Sequence, residues 1–142
     1  MTEFSSISQY ALGSTDAEHK RLIRQATLLA PLTERFFGQA CIGPGQRILD
    51  LGSGVGDVVM LAAGLVGPSG EVVGVERDQR SIARARARVA EAGLNNAIFT
   101  QSDVRQLRVD KPFDAVAGRL ILQFLPDPVV ALQLMSQLVR PG

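Results

Sequence analysis

A chain of 142 residues is long enough for one folded domain, and with 46% hydrophobic against 20% charged residues it carries the apolar surface that a packed core needs. A formal net charge of +1 offers no general pull toward nucleic acid or an anionic membrane, and no apolar run approaches the ~20 residues of a membrane-spanning helix. The single Cys41 cannot make an internal disulfide, and the start MTEFSSISQY is polar where a signal peptide is apolar, so the expected location is the cytoplasm.

Residues 1–14 read as irregular. Thr15 and Glu18 form a T-x-x-E capping box, in which hydroxyl and carboxylate each satisfy a backbone N–H at a helix start. Leu22, Ile23, Ala26 and Leu29 follow at helical spacing; Pro31 is expected to interrupt the run, with a second short helix over Leu32–Ala40 and a turn at Gly43-Pro44-Gly45. The pattern then changes. Arg47–Leu51 is a short apolar strand running into a glycine-rich loop, and Val58–Leu65 a helix closed by Gly67-Pro68-Ser69-Gly70. Glu71–Glu76 is a second strand, Arg80–Ala92 a helix stopped by Gly93, Ala97–Thr100 a third strand and Phe113–Ala117 a fourth. Pro128–Val139 is a last helix, with Val129, Leu132, Met135 and Val139 along one side. Strand alternating with helix predicts an α/β fold, a parallel sheet flanked by helices whose right-handed crossovers leave few topologies.

Sheets of this kind take ligands outside the carboxyl ends of their strands, where the strand order switches. The chemistry-bearing residues cluster at those ends. The first strand leads into Asp50-Leu51-Gly52-Ser53-Gly54-Val55-Gly56, where missing side chains let a ligand lie against backbone and a helix N-terminus. Glu76 ends the second strand, 24 residues after Gly52, the usual place for a carboxylate accepting both hydroxyls of an adenosine ribose. Asp103 follows the third strand, placed to accept from an exocyclic amine, and Gly118-Arg119 follows the fourth.

This set resembles the class I S-adenosylmethionine-dependent methyltransferases from Gln46 to Gly142. The resemblance rests on Ile48-Leu49-Asp50-Leu51-Gly52-Ser53-Gly54-Val55-Gly56-Asp57, on Val75-Glu76-Arg77-Asp78, on Asp103-Val104, and on Phe113-Asp114-Ala115-Val116. Upstream, Tyr10-Ala11-Leu12-Gly13 with Glu18, Arg21, Leu22 and Gln25 is similar to the cap of a bacterial small-molecule branch. The resemblance implies a Rossmann-like sheet of order 3-2-1-4, an N-terminal helical cap over residues 1–45, and a cofactor-binding core over residues 46–142. It implies S-adenosyl-L-methionine as cofactor and S-adenosyl-L-homocysteine as product. Asp50, Gly52, Ser53, Gly54, Gly56 and Arg119 would face the methionine end. Glu76 and Arg77 would take the ribose side, Asp103 and Val104 the adenine, and Tyr10 would close over the cofactor from the cap. The partner would be a small-molecule methyl acceptor, methylated at O, N or C by in-line displacement.

Other readings lose ground on particular residues. An NAD site wants G-x-G-x-x-G, and the third position here is Asp57; Asp50, two residues before the first glycine, is unusual in dehydrogenases. Arg80, Arg84 and Arg88 share one helix face, which reads as solvated rather than as a nucleic-acid surface, and no Asn/Asp-Pro-Pro-aromatic signature follows strand four. His19 reads as exposed, Cys41 as filling an apolar gap, and no ligand set has metal spacing. A noncatalytic interaction module that has kept the fold remains a separate alternative.

The family's sheet has seven strands, and Val139-Arg140-Pro141-Gly142 resembles its turn before strand five, so the sequence is expected to be truncated there. Such a fragment would keep its cofactor contacts with little activity of its own. Strand four would be an apolar edge, open to pairing with a second copy of the chain. No residue reads as an evident general base.

Overall fold

The computed structural model describes residues 15–142. The elements, in order, are α1 (Asp16–Gln39), β1 (Arg47–Leu51), α2 (Asp57–Val66), β2 (Glu71–Glu76), α3 (Gln79–Glu91), β3 (Ala97–Gln101), β4 (Ala115–Ala117) and α4 (Pro128–Leu138). Single 3-10 turns lie at Val104–Gln106 and Leu122–Phe124.

The strands form one parallel sheet of order β3-β2-β1-β4, the order that the family resemblance implies. Period-two alternation sends neighbouring residues to opposite faces. Ile48, Val72 and Phe99 join Val59, Ala62, Val66, Ile82, Ala85 and Val89 of α2 and α3 in one core, to which Phe37 of α1 also belongs. Leu49, Leu51, Val73 and Val75 meet Phe113 on the other face, with Met135 and Leu138 of α4 packed against them. Asp50 stands opposite Gly74 of β2 and Ala117 of β4 at the carboxyl end of this frame. At the opposite end Arg47 bonds Glu71 at 2.9 Å and lies 3.9 Å above the Phe113 ring.

Several elements depart from expectation. The helix expected to break at Pro31 is continuous. His19, Ala26, Thr33 and Phe37 are buried on one stripe that continues past the exposed proline, so packing before and after it holds the helix together where one backbone N–H is missing. Only half of the capping box forms: Thr15 accepts from the Glu18 N–H at 3.1 Å, while the Glu18 carboxylate is taken by Arg21. His19 is buried, and Cys41 is exposed in the turn after α1 with φ of 57°. Only Arg80 and Arg84 of the arginine face are exposed. Arg88 turns back onto the core, bonding the Val55 carbonyl and the Asp57 carboxylate. On α4, Ala131, Met135 and Leu138 pack inward, whereas Val129 and Leu132 are exposed.

The segment after α4 returns to the sheet. Phe113 donates to the Leu138 carbonyl at 2.8 Å and accepts from the Arg140 N–H at 2.9 Å, a parallel bridge with Val139 beside the start of the fourth strand. Among the described residues no helix is long and apolar enough to cross a membrane.

Candidate cofactor-binding site

The loop leaving β1 is folded back on the sheet. Ser53 donates its N–H to the Val75 carbonyl at 2.9 Å, and Gly56 donates to the Ser53 carbonyl at 2.9 Å. Gly56 then begins α2 from the left-handed region, φ 91°, where a side chain is strained. A Cβ there would stand 3.2 Å from both Ala85 Cβ and Phe99 Cζ. The absent side chain of Gly56 therefore lets the loop seat on α3 and β3. Gly54 also has positive φ, 54°, but among the described residues nothing lies within 4 Å of where its Cβ would be. Its backbone borders open space. Gly52 is covered by Ile121 Cδ1, 3.1 Å from a Cβ built there.

Glu76 meets this loop directly. Its Oε1 accepts from the Gly54 N–H at 3.0 Å, and its Oε2 accepts from the Arg77 and Asp78 N–H groups, each at 2.8 Å. Three backbone donors thus fix the carboxylate at the carboxyl end of β2. Ser53 is 6% exposed, and its Oγ, buried in the same loop, has no hydrogen-bond partner among the described residues. A buried hydroxyl left so is an uncompensated cost that an incoming polar group relieves.

Asp50 lies beneath the loop, 2% exposed. Burial pushes its carboxyl up to about 8; the Arg119 charge opposes this, and the charges of Glu76 and Asp57 add to it. Arg119, from the segment after β4, donates through Nη1 to Thr33 Oγ1 of α1 at 3.2 Å. Asp103 caps the 3-10 turn after β3. Its Oδ1 accepts from the Arg105 N–H at 2.9 Å and Nε at 3.0 Å, and its Oδ2 from Nη2 at 2.7 Å. The Arg105 guanidinium beside it holds the carboxyl at about 2, with Arg77 a weaker influence 3.7 Å away. Val104 turns its side chain into the second core.

The predicted residues therefore fall into linked groups: Gly54 with Glu76, Asp50 under the influence of Arg119 and Glu76, and Arg77 with Asp103. Gly56 is tied to packing, Asp103 is engaged by Arg105, and Tyr10 lies outside the described residues.

Over residues 42–142 the chain matches a family described as a methyltransferase domain. The chain belongs to that family. Among relatives, it is similar to the arsenite methyltransferase of Halobacterium salinarum, 34% identical over 72% of this chain and 27% of that protein. It is also similar to the ubiquinone/menaquinone biosynthesis C-methyltransferase UbiE of Ectopseudomonas mendocina, 33% identical over 71% of this chain and 40% of the relative. Among solved structures, the N-terminal domain of EvdMO1 with SAH bound is 25% identical with a TM-score of 0.68, over 78% of this chain and 45% of that one. The chain thus spans less than half the length of each of these proteins.

Sequence reasoning missed Thr33, Ser81, Arg105 and Ile121, and read the buried His19 as exposed. One signal was available: His19, Ala26 and Thr33 repeat every seven residues, which places them on one helix stripe and marks the two polar ones for burial.

Proposed function

We propose that this methyltransferase domain binds S-adenosyl-L-methionine across the carboxyl ends of β1, β2 and β3 and serves methylation of a small-molecule nucleophile. The observation that carries the reading is Glu76, fixed by three backbone N–H groups with one oxygen on the glycine loop. A carboxylate so held is a preorganised acceptor for a vicinal diol. The fit is supported by the partnerless Ser53 Oγ and by the open space at Gly54.

In this reading Gly52, Ser53, Gly54 and Gly56 offer backbone along the methionine moiety. Asp50 and Arg119 supply opposite charges at its amino-acid end, and Glu76 takes the ribose hydroxyls. Arg77, Asp103 and Val104 border the adenine, with Arg105 yielding its hold on Asp103 when the exocyclic amine arrives. Residues 1–45 would supply the cap, of which α1 is the described helix. When bound, the sulfonium supplies an activated methyl group, which passes in line to the nucleophile as the carbon–sulfur bond breaks and the electron pair stays on sulfur. The protein's work is to hold the nucleophile in line and keep water out. A small-molecule acceptor is supported by two relatives, whose names specify arsenite and ubiquinone/menaquinone biosynthesis.

Thermal melts test the reading. S-adenosylhomocysteine at about 100 times its Kd stabilises by ~2.7 kcal/mol, a rise of roughly 5–10 °C for a chain of this size. NAD produces none, and Glu76→Ala loses most of the rise. A response to NAD with none to S-adenosylhomocysteine overturns the proposal.

A further inference from the structure

His19 sits near the start of α1, yet it is 4% exposed. Its Nε2 lies 3.3 Å from Ser81 Oγ, across 62 residues of chain. Ser81 is 4% exposed as well. Its hydroxyl donates to Asp78 Oδ2 at 2.6 Å, and its N–H goes to the same oxygen at 2.9 Å. A hydroxyl has one proton, and here the carboxylate takes it. With that proton on the carboxylate, Ser81 Oγ is placed to accept from the Nε2–H tautomer of His19. The contacts run from α1 through Ser81 to Asp78.

Asp78 stands where two structures join. Its side chain caps α3, and its N–H donates to Glu76 Oε2 at 2.8 Å. The other oxygen of Glu76 holds Gly54. The buried relay thus ends two residues from the carboxylate that faces the glycine loop. A histidine that only filled space would need no such partner, since leucine occupies a similar volume without a polar group to satisfy.

We infer that His19 is a positioning residue for Glu76: through Ser81 and Asp78 it ties the amino-terminal helix to the turn that aims the carboxylate. Docking of α1 and affinity for the cofactor's ribose are then coupled. The inference rests on the reading of Glu76 as the ribose acceptor.

The test compares binding of S-adenosylhomocysteine with that of its 2′-deoxy analogue by calorimetry, with thermal melts alongside. A hydrogen bond to a charged acceptor makes the wild-type protein prefer the full ribose by about 10–100-fold. His19→Leu reduces that preference by about tenfold, chiefly by weakening the full ligand. His19→Gln, whose amide can donate to Ser81, restores most of it. Ser81→Ala reproduces the loss from the other side and decides the matter if His19→Leu does not fold. Both ligands weakened equally, or a preference unchanged in both disrupted variants, overturns the inference and leaves Glu76 as the ribose acceptor. A wild-type protein that binds both ligands alike removes the role of Glu76 itself, and the inference with it.

Discussion

Asp57 at the start of α2 and Arg88 in the last turn of α3 meet at 2.8 Å behind the glycine loop. Each charge sits at the helix end whose dipole favours it. Arg88 also donates to the Val55 carbonyl at 2.8 Å, so one guanidinium holds both the loop and the helix that the loop enters. With side chains only 20% and 15% exposed, the pair is shielded from much of the solvent that weakens surface ion pairs.

Arg88→Met keeps the aliphatic stem but leaves Asp57 and the Val55 carbonyl short of a partner. The expected cost is about 2–3 kcal/mol, a fall in Tm of roughly 7–10 °C. Asp57→Asn alone costs less, because an amide oxygen still accepts from Arg88. The double variant loses less than the sum of the singles. Strict additivity in that cycle, read from urea melts, shows that the pair contributes no coupling.

Gly54 and Gly56 predict opposite phenotypes from the same substitution. Gly56→Ala combines a left-handed backbone with a methyl 3.2 Å from Ala85 and Phe99, so about 3 kcal/mol of stability is lost. Gly54→Ala meets open space and costs only about 1 kcal/mol, for the backbone alone. Its methyl instead projects where the cofactor is proposed to lie, and affinity for S-adenosylhomocysteine falls at least about tenfold. If Gly54→Ala proves the more destabilising of the two, this division of labour is wrong.

Much of the sheet could be read from the chain because its strands are short, apolar and bounded by glycine or proline. β1 and β2 fall where the pattern puts them, at Arg47–Leu51 and Glu71–Glu76. The spacing of Gly52, Glu76 and Asp103 likewise marked the strand ends, since parallel topology brings those ends to one side. Contacts across the sequence were not legible. Nothing local announces that Arg119 reaches Thr33 or that Ser81 meets His19. α4 misled for another reason: its apolar residues cover more than one face, and periodicity alone does not say which face packs.

Pro31 misled because local propensity was overridden by tertiary packing. The exposed proline interrupts the hydrogen bonding of a 24-residue helix whose buried stripe continues on both sides of it. Pro31→Ala restores an N–H for the Thr27 carbonyl and removes the ring from the preceding turn. Part of the gain is offset by the greater freedom of the unfolded chain. The variant is expected to be about 1–2 kcal/mol more stable, raising Tm by roughly 3–7 °C. A lower Tm, measured by circular dichroism, indicates that Pro31 helps the chain in a way that helix geometry does not capture.

Asp50 makes stability depend on pH in an unusual direction for a carboxylate. Unfolded, the group ionises near its ordinary 3.8; folded, burial holds the proton on until about 8. Between those values folding takes up a proton, so this contribution is complete below pH 4, declines as pH rises, and is lost above about 8. Asp50→Asn mimics the protonated form at every pH. Its Tm therefore falls less than wild type from about pH 5 to about pH 9, and the variant melts higher at the alkaline end. Ligand binding reverses the preference. The ammonium of S-adenosylhomocysteine, placed at this end in the proposed reading, favours the ionised carboxylate. Binding at neutral pH then releases a proton, and affinity rises toward pH 8 by up to about tenfold per unit. Calorimetry in two buffers of different ionisation enthalpy measures that proton. Its absence in the wild-type protein, or its persistence in Asp50→Asn, assigns the linkage to another group.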